Sequence, residues 1–187
     1  MSTSTIDKST IAPAGTWKVD KAHTQFGFAV KHMGVATVRG HFEDFDGSLE
    51  IGEDLTSAKI VGTVKAASVQ TGVGQRDDHL RSEDFFDAEK YPELRFESTS
   101  IEAVDEDTFR IVGELTIHGV TREIELEAEV GGVEVGMNGE DRVGIEATGK
   151  ISRDEFGMKF NAALGSGNAV VSDKVKLALD ISAIREA

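Results

Sequence analysis

The sequence predicts an all-β protein: an antiparallel barrel of about eight strands, with a short helical segment at about residues 75–90. Three observations lead there. Apolar and polar residues alternate with period two through most of the chain. Turn signals separate the alternating runs, at "GED" 52–54, "VDED" 104–107, "HGVT" 118–121 and "MNGED" 137–141. A meander of such strands has two exposed edges unless it closes on itself. A two-sheet sandwich is the alternative architecture.

Each element has its own warrant. The opening stretch supplies one strand. In the next, Phe26, Phe28 and Val30 alternate with Gln25, Gly27 and Ala29. Phe42 and Phe45, then Leu49 and Ile51, continue the pattern, followed by Ile60, Val64 and Ala66, and by Leu94, Phe96 and Ser98. In "FRIVGELTIHG" the alternate residues are Phe109, Ile111, Gly113, Leu115 and Ile117. The run "REIELEAEV" splits cleanly: Ile124, Leu126, Ala128 and Val130 on one face, Glu123, Glu125, Glu127 and Glu129 on the other. Such a strand has one dry side and one wet side. Val143, Ile145, Ala147, Gly149 and Ile151 form another, and Val175, Leu177, Leu179 and Ile181 the last. Asn138-Gly139 is a two-residue hairpin signal.

Two stretches break the alternation. From 72 to 96, residues Gln75 to Arg81 favour a short helix, and "SEDFFDAEKYP" reads as a further turn ended at Tyr91-Pro92. Leu80, Phe85 and Phe86 are expected to cap one mouth of the barrel. The second stretch, "RDEFGMKFNAALGSGNAV", carries Phe156, Met158, Phe160 and Leu164, and is expected to flank the same or the opposite opening. Its glycine-rich 164–169 lacks the P-loop lysine and reads as a loop.

The totals narrow the function. The length of 187 residues suits one domain, here 15–187 after a flexible, Ser- and Thr-rich tail over 1–14. Twenty Lys and Arg against 34 Asp and Glu give a net charge of −14, which opposes binding to nucleic acid. With no cysteine there is no disulfide, thiolate metal site or cysteine nucleophile. No run is long and apolar enough for a signal peptide or a membrane span, so a cytoplasmic protein is expected.

A glycine in mid-strand packs nothing. Gly113, Gly149 and Gly62, with Ala147 and Ala128, all fall on the apolar parity. An eight-stranded barrel is just wide enough to fill with side chains or to hold one small ligand. Small residues at several inward positions favour the second outcome. The expected lining is Phe26, Phe28, Val30, His32, Phe42 and Phe96, with Ile111, Gly113, Leu115, Ala147 and Gly149 along the walls. Leu80, Phe85, Phe86, Phe156 and Phe160 are expected at the ends.

Several segments together resemble the YceI-like polyisoprenoid-binding family. They are "WKVDKAHTQFGFAVKHMG", "GHFEDFDGSL", "SVQTGVGQRDDHLRSEDFFDAEKYPELRFES", "GELTIHGVTREIEL" and "GKISRDEFGM". The likeness spans roughly residues 15 to 184, and the "RDDHLRSEDFF" core is its most specific part. It implies a lipocalin-like barrel around an elongated apolar cavity, binding of long isoprenoid or other amphiphilic lipids, frequent homodimers, and no catalysis. Many relatives carry a secretory leader, which is not seen here.

The polar residues fit that picture. Arg76 and Arg81 sit beside the expected mouth and could offer bidentate donors to an anionic head group, or pair with Asp84 or Asp87. His32 shares parity with Phe26, Phe28 and Val30 and is either a satisfied buried imidazole or a head-group donor. Asp20 and His23 read as a hydrogen bond at a strand end. Asp77, Asp78 and His79 are metal-ligand types, but neighbours on a helix do not converge, so no metal and no cofactor is expected. The rival functions are a hydrolase-type enzyme using His23, His32 or His118 as general base, and an interaction protein with a filled barrel.

Overall fold

Period-two alternation becomes eleven strand segments: β1 (Gly15–Val19), β2 (Gln25–His32), β3 (Ala36–Phe42), β4 (Phe45–Ile51), β5 (Lys59–Lys65), β6 (Val69–Gln70), β7 (Glu93–Ala103), β8 (Thr108–Ile117), β9 (Val120–Val135), β10 (Asp141–Ser152) and β11 (Val171–Arg185). One helix, α1 (Gly74–Arg81), lies between β6 and β7. The computed structural model describes residues 12–166 and 169–187. Most of the expected tail and part of the loop at 164–169 fall outside these residues.

The sheet closes on itself. β1, β4, β5, β7, β8, β9, β10 and β11 follow one another antiparallel, and β11 pairs back to β1 through Trp17↔Arg185 and Val19↔Ala183. The remaining three segments extend ring strands. β2 runs on beyond β1 along β11, β3 beyond β4, and β6 beyond β5. The barrel therefore has the eight antiparallel staves expected, three of them interrupted.

The breaks have local causes. Between β1 and β2, the Asp20 carboxylate accepts the amide of Ala22 and caps a single 3-10 turn, Lys21–His23. Asp20 also accepts Nη1 of Arg142 at 2.6 Å and pairs with His23 Nδ1 at 2.6 Å. The guanidinium, and then the imidazole, hold its carboxyl below the ordinary 3.8, at about 2. Between β5 and β6 stands another 3-10 turn, Ala66–Ser68. The tightest hairpin is His118-Gly119, both at positive φ (55° and 73°), joining Ile117 to Val120. Asn138-Gly139 sits instead within the longer connection at 136–140, closed by Gly136 N to the carbonyl of Glu140.

The core divides along the barrel axis. At the base, Trp17 and Val143 are fully buried and pack with Leu49, Ile51, Leu55, Phe109 and Ala183. Toward the other end, Phe42, Val69, Leu94, Ile117, Ile151 and Phe156 form a second cluster. Ile124 and Leu177 touch both, but stay only partly buried.

Candidate functional site: an apolar barrel cavity

Between the two clusters the inward side chains do not meet. Phe26, Phe28 and Val30 of β2, Ile60 and Val64 of β5, and Val175, Leu177 and Leu179 of β11 point inward yet remain half-buried. The opposite wall is tightly covered, with Ile111, Leu126 and Ala147 buried. The gap is a cavity of about 420 Å³ lined almost wholly by hydrocarbon. Its size is in the range of small-molecule sites.

The glycines open this space by a route that parity alone does not show. A Cβ at Gly113 would collide with the Phe96 ring and lie 2.6 Å from the Glu97 carbonyl. Gly113 is therefore a seat on which Phe96 lies flat, and it does not itself line the cavity. The same holds at Gly40, against which the cross-strand Phe28 ring rests. Gly149 is covered by Leu126, whose Cδ2 would be 2.7 Å from a Cβ there, and it too is not part of the lining. Gly62 alone behaves as expected: it lines the cavity, and a Cβ there would meet nothing within 4 Å. Glycine thus enlarges the lumen mainly by letting large side chains fold against the wall.

The two irregular stretches meet over one end. The helix α1 ends at Arg81, where the sequence places its end, and tight turns follow, with Phe86 N on the Leu80 carbonyl and Ala88 N on the Arg81 carbonyl. The last turn of α1 directs Leu80, and the turns after it Phe85 and Phe86, into the cavity. His79, Phe85 and Phe160 form a triangle of edge-on rings, with centroids 4.9 to 5.4 Å apart. That triangle joins the α1 region to the 153–170 segment, so both flank the same opening. Met158 and Phe160 line the cavity, whereas Phe156 is only 1% exposed and belongs to the core beneath.

Polar groups hold this end in place. Asp77 is buried, and its Oδ1 accepts both the amide (2.8 Å) and the hydroxyl (2.6 Å) of Thr71. Arg76 Nε donates to Thr71 Oγ1 and its Nη2 to the Thr71 carbonyl. Arg76 also lines the cavity, with Nη1 uncommitted among the described residues. Arg81 does not line it: its guanidinium is spent on the carbonyls of Ala67 and Val69 and on Asp78, not on Asp84 or Asp87. Asp84 is taken by His79 Nε2 at 2.8 Å.

Arg153 carries no signal in the alternation, yet it is central. It is 4% exposed and lines the cavity. It donates to four main-chain carbonyls: Ser172 at 2.9 Å, Met158 at 2.8 Å, Phe160 at 2.7 Å and Val171 at 3.1 Å. Burial lowers its pKa, while Asp154 and Asp173 oppose that shift. One cation thus ties the segment around Met158 and Phe160 to β11. Its only sequence trace is its place within "SRDEFGM" at the end of a strand.

The histidines do not converge. His23 is held by Asp20 outside the barrel, His118 lies in the β8–β9 turn against Tyr91 (4.8 Å), and His32 lines the cavity at the opening. Among the described residues no serine or threonine hydroxyl hydrogen-bonds the ring of His32 or His79. Other lining residues, such as Val38, Leu94, Ile145 and Ile181, follow from the same inward parity that marked their neighbours.

Comparison with known proteins places these features. The YceI-like domain matches residues 17–183. UPF0312 protein plu2095 of Photorhabdus laumondii is 38% identical over 178 residues, covering 94% of this chain and 89% of the relative. The crystal structure of the Campylobacter jejuni YceI protein superposes with a TM-score of 0.72 at 34% identity, covering 90% of this chain and 97% of that one. A polyisoprenoid binding domain from Saccharophagus degradans shares the fold, with a TM-score of 0.71 at 15% identity over 91% of this chain and 98% of its own.

Proposed function

The chain belongs to the YceI-like domain family, and on that premise we propose that it carries or sequesters a long-chain, polyisoprenoid-like amphiphile without transforming it. The observation that carries this reading is the half-exposed hydrocarbon wall around about 420 Å³ of open space. Empty space of this kind forfeits dispersion contacts that a guest restores. Each methylene buried contributes about 0.8 kcal/mol, so ~15 carbons contribute about 12 kcal/mol before ordering and association costs. A neighbour of the same fold is a polyisoprenoid binding domain, which supports the class of guest.

The polar groups suggest its orientation. The hydrocarbon tail runs toward Trp17, and the head group stays at the opening near Arg76, His32 and His79. Arg76 replaces Arg81 as the head-group donor, because Arg81 is already committed to protein acceptors.

Native mass spectrometry after incubation with a polyprenol tests the reading. The wild type is expected to retain one guest per subunit, and Gly62→Phe to lose it while keeping the same far-UV circular dichroism. A wild type that stays empty, or a variant that loads equally well, would overturn it. The same spectrum counts subunits, where a homodimer is expected.

A further inference from the structure

The outer surface beside the opening has the wrong sign for this protein. The chain carries −14 overall, yet neither β2 nor β3 contains a single Asp or Glu. Across four strands, exposed cations fall into register. Lys150 of β10 stands directly opposite Lys176 of β11, which pairs with Ala29 of β2, which pairs with Arg39 of β3. Lys174, opposite Ser152, and Lys31, bonded to Thr37, lie one step nearer the opening. Like charges directly opposite each other on a sheet are destabilising, and the fold gains nothing visible from Lys150 facing Lys176. Among the described residues, Arg39, Lys150, Lys174 and Lys176 have no ion-pair partner. Asp173, whose acidity Lys174 enhances through space, accepts from Ser152 and from the Asp154 amide, and Glu125 pairs with Arg110.

Two residues beyond Lys31 the β2–β3 turn projects Met33 and Val35, 38% and 79% exposed. Cations set behind apolar tips, at the mouth of an apolar cavity, match the layering of an anionic bilayer surface. We infer that the outer face of β10, β11, β2 and β3 docks this end of the barrel on membranes bearing anionic headgroups, with Met33 and Val35 entering the interface. The net charge does not prevent this, because charges further than about 8 Å are screened at physiological salt. The inference rests on the cavity taking its guest from a bilayer, but the docking itself needs no guest.

Flotation of the purified protein with two kinds of vesicle tests it: phosphatidylcholine alone, and phosphatidylcholine with phosphatidylglycerol. The wild type is expected to float with the mixed vesicles, to stay behind with the neutral ones, and to be released by salt. Each cation near the surface contributes about a fivefold factor. Lys150→Glu/Lys174→Glu/Lys176→Glu should therefore lose at least tenfold in apparent affinity, and the milder Lys150→Ala/Lys176→Ala should lose less. The uncharged Val35→Ser should weaken flotation without changing its salt dependence. Failure of the wild type to float, equal flotation of the triple variant, or retention on duplex DNA in preference to vesicles would each overturn the proposal. Gly62→Phe keeps the two readings apart. A protein that floats but never loads with polyprenol sinks the carrier reading alone, and one that loads but never floats sinks the docking alone.

Discussion

The two ends of the barrel are built from different forces. At the base, Trp17, Phe109 and Val143 fill the bore at 0 to 2% exposure, and the only polar side-chain atom of Trp17 donates to the Pro13 carbonyl. At the opening, the irregular segments hang from Arg153 and from the Asp77–Thr71–Arg76 bonds. The difference shows what a hollow protein requires. A filled end is stabilised by area removed from water. An end that borders empty space keeps a buried cluster only beneath the lumen, around Val69, Ile117 and Phe156, and adds directional bonds, which satisfy its loop carbonyls while leaving the lumen clear.

Removing the base plug is the largest test of this contrast. Trp17→Ala should cost about 3–5 kcal/mol of stability, read from the urea midpoint. Leu177→Ala, which trims a side chain already half exposed to the lumen, should cost clearly less than the 2–5 kcal/mol typical of a packed core. Equal losses would mean that the middle is as solid as the base.

At the opening, Arg153→Met keeps much of the side-chain bulk but removes a donor from four carbonyls, of which only Val171 keeps another side-chain donor, Asn161 Nδ2. A cost of about 3 kcal/mol is expected. Amide exchange should accelerate in 153–171 before it does around Trp17. Uniform acceleration would show the two ends to be one cooperative unit.

The glycines offer a paired comparison. Gly113→Ala forces a methyl group into the Phe96 ring and the Glu97 carbonyl and should cost about 1–3 kcal/mol. Gly62→Ala meets open space and should be neutral or stabilising by up to about 1 kcal/mol, since it restricts the unfolded chain. Thermal unfolding of both variants side by side would reverse this assignment if Gly62→Ala were the worse.

The smallest effect concerns Asp20. Its folded pKa is about 2, below the ordinary 3.8. The ion-pair contribution is therefore fully present above pH 3.8 and fades as pH falls toward 2. In Arg142→Met the Asp20 resonance should titrate nearer 3.8, and acid sensitivity in that window should shrink. An unchanged titration would remove Arg142 as the main cause.

Much of the barrel could be read from residues a strand's length apart. Alternation in "REIELEAEV" decides which face is wet, because successive side chains of a strand must point to opposite sides. That local rule marked Phe26, Phe28, Phe96, Ile111 and Leu115 as inward, and all of them line the cavity. It misassigned Gly113 and Gly149, since whether a gap stays open depends on where a neighbouring strand's side chain falls. It also misplaced Phe156, which local alternation cannot tell from Phe160. Arg153 and Gly62 mark the boundary. The same sequence rules see a charge after a strand and a missing side chain within one. Only the folded course of residues 153–172 returns four carbonyls to that charge, and only the closed ring leaves the space over that glycine empty. Period and composition act over a few residues and are written in order along the chain. The cavity arises from convergence across the barrel, and the saturated cation from an irregular segment that doubles back on β11; neither follows a fixed period that a short window could reveal.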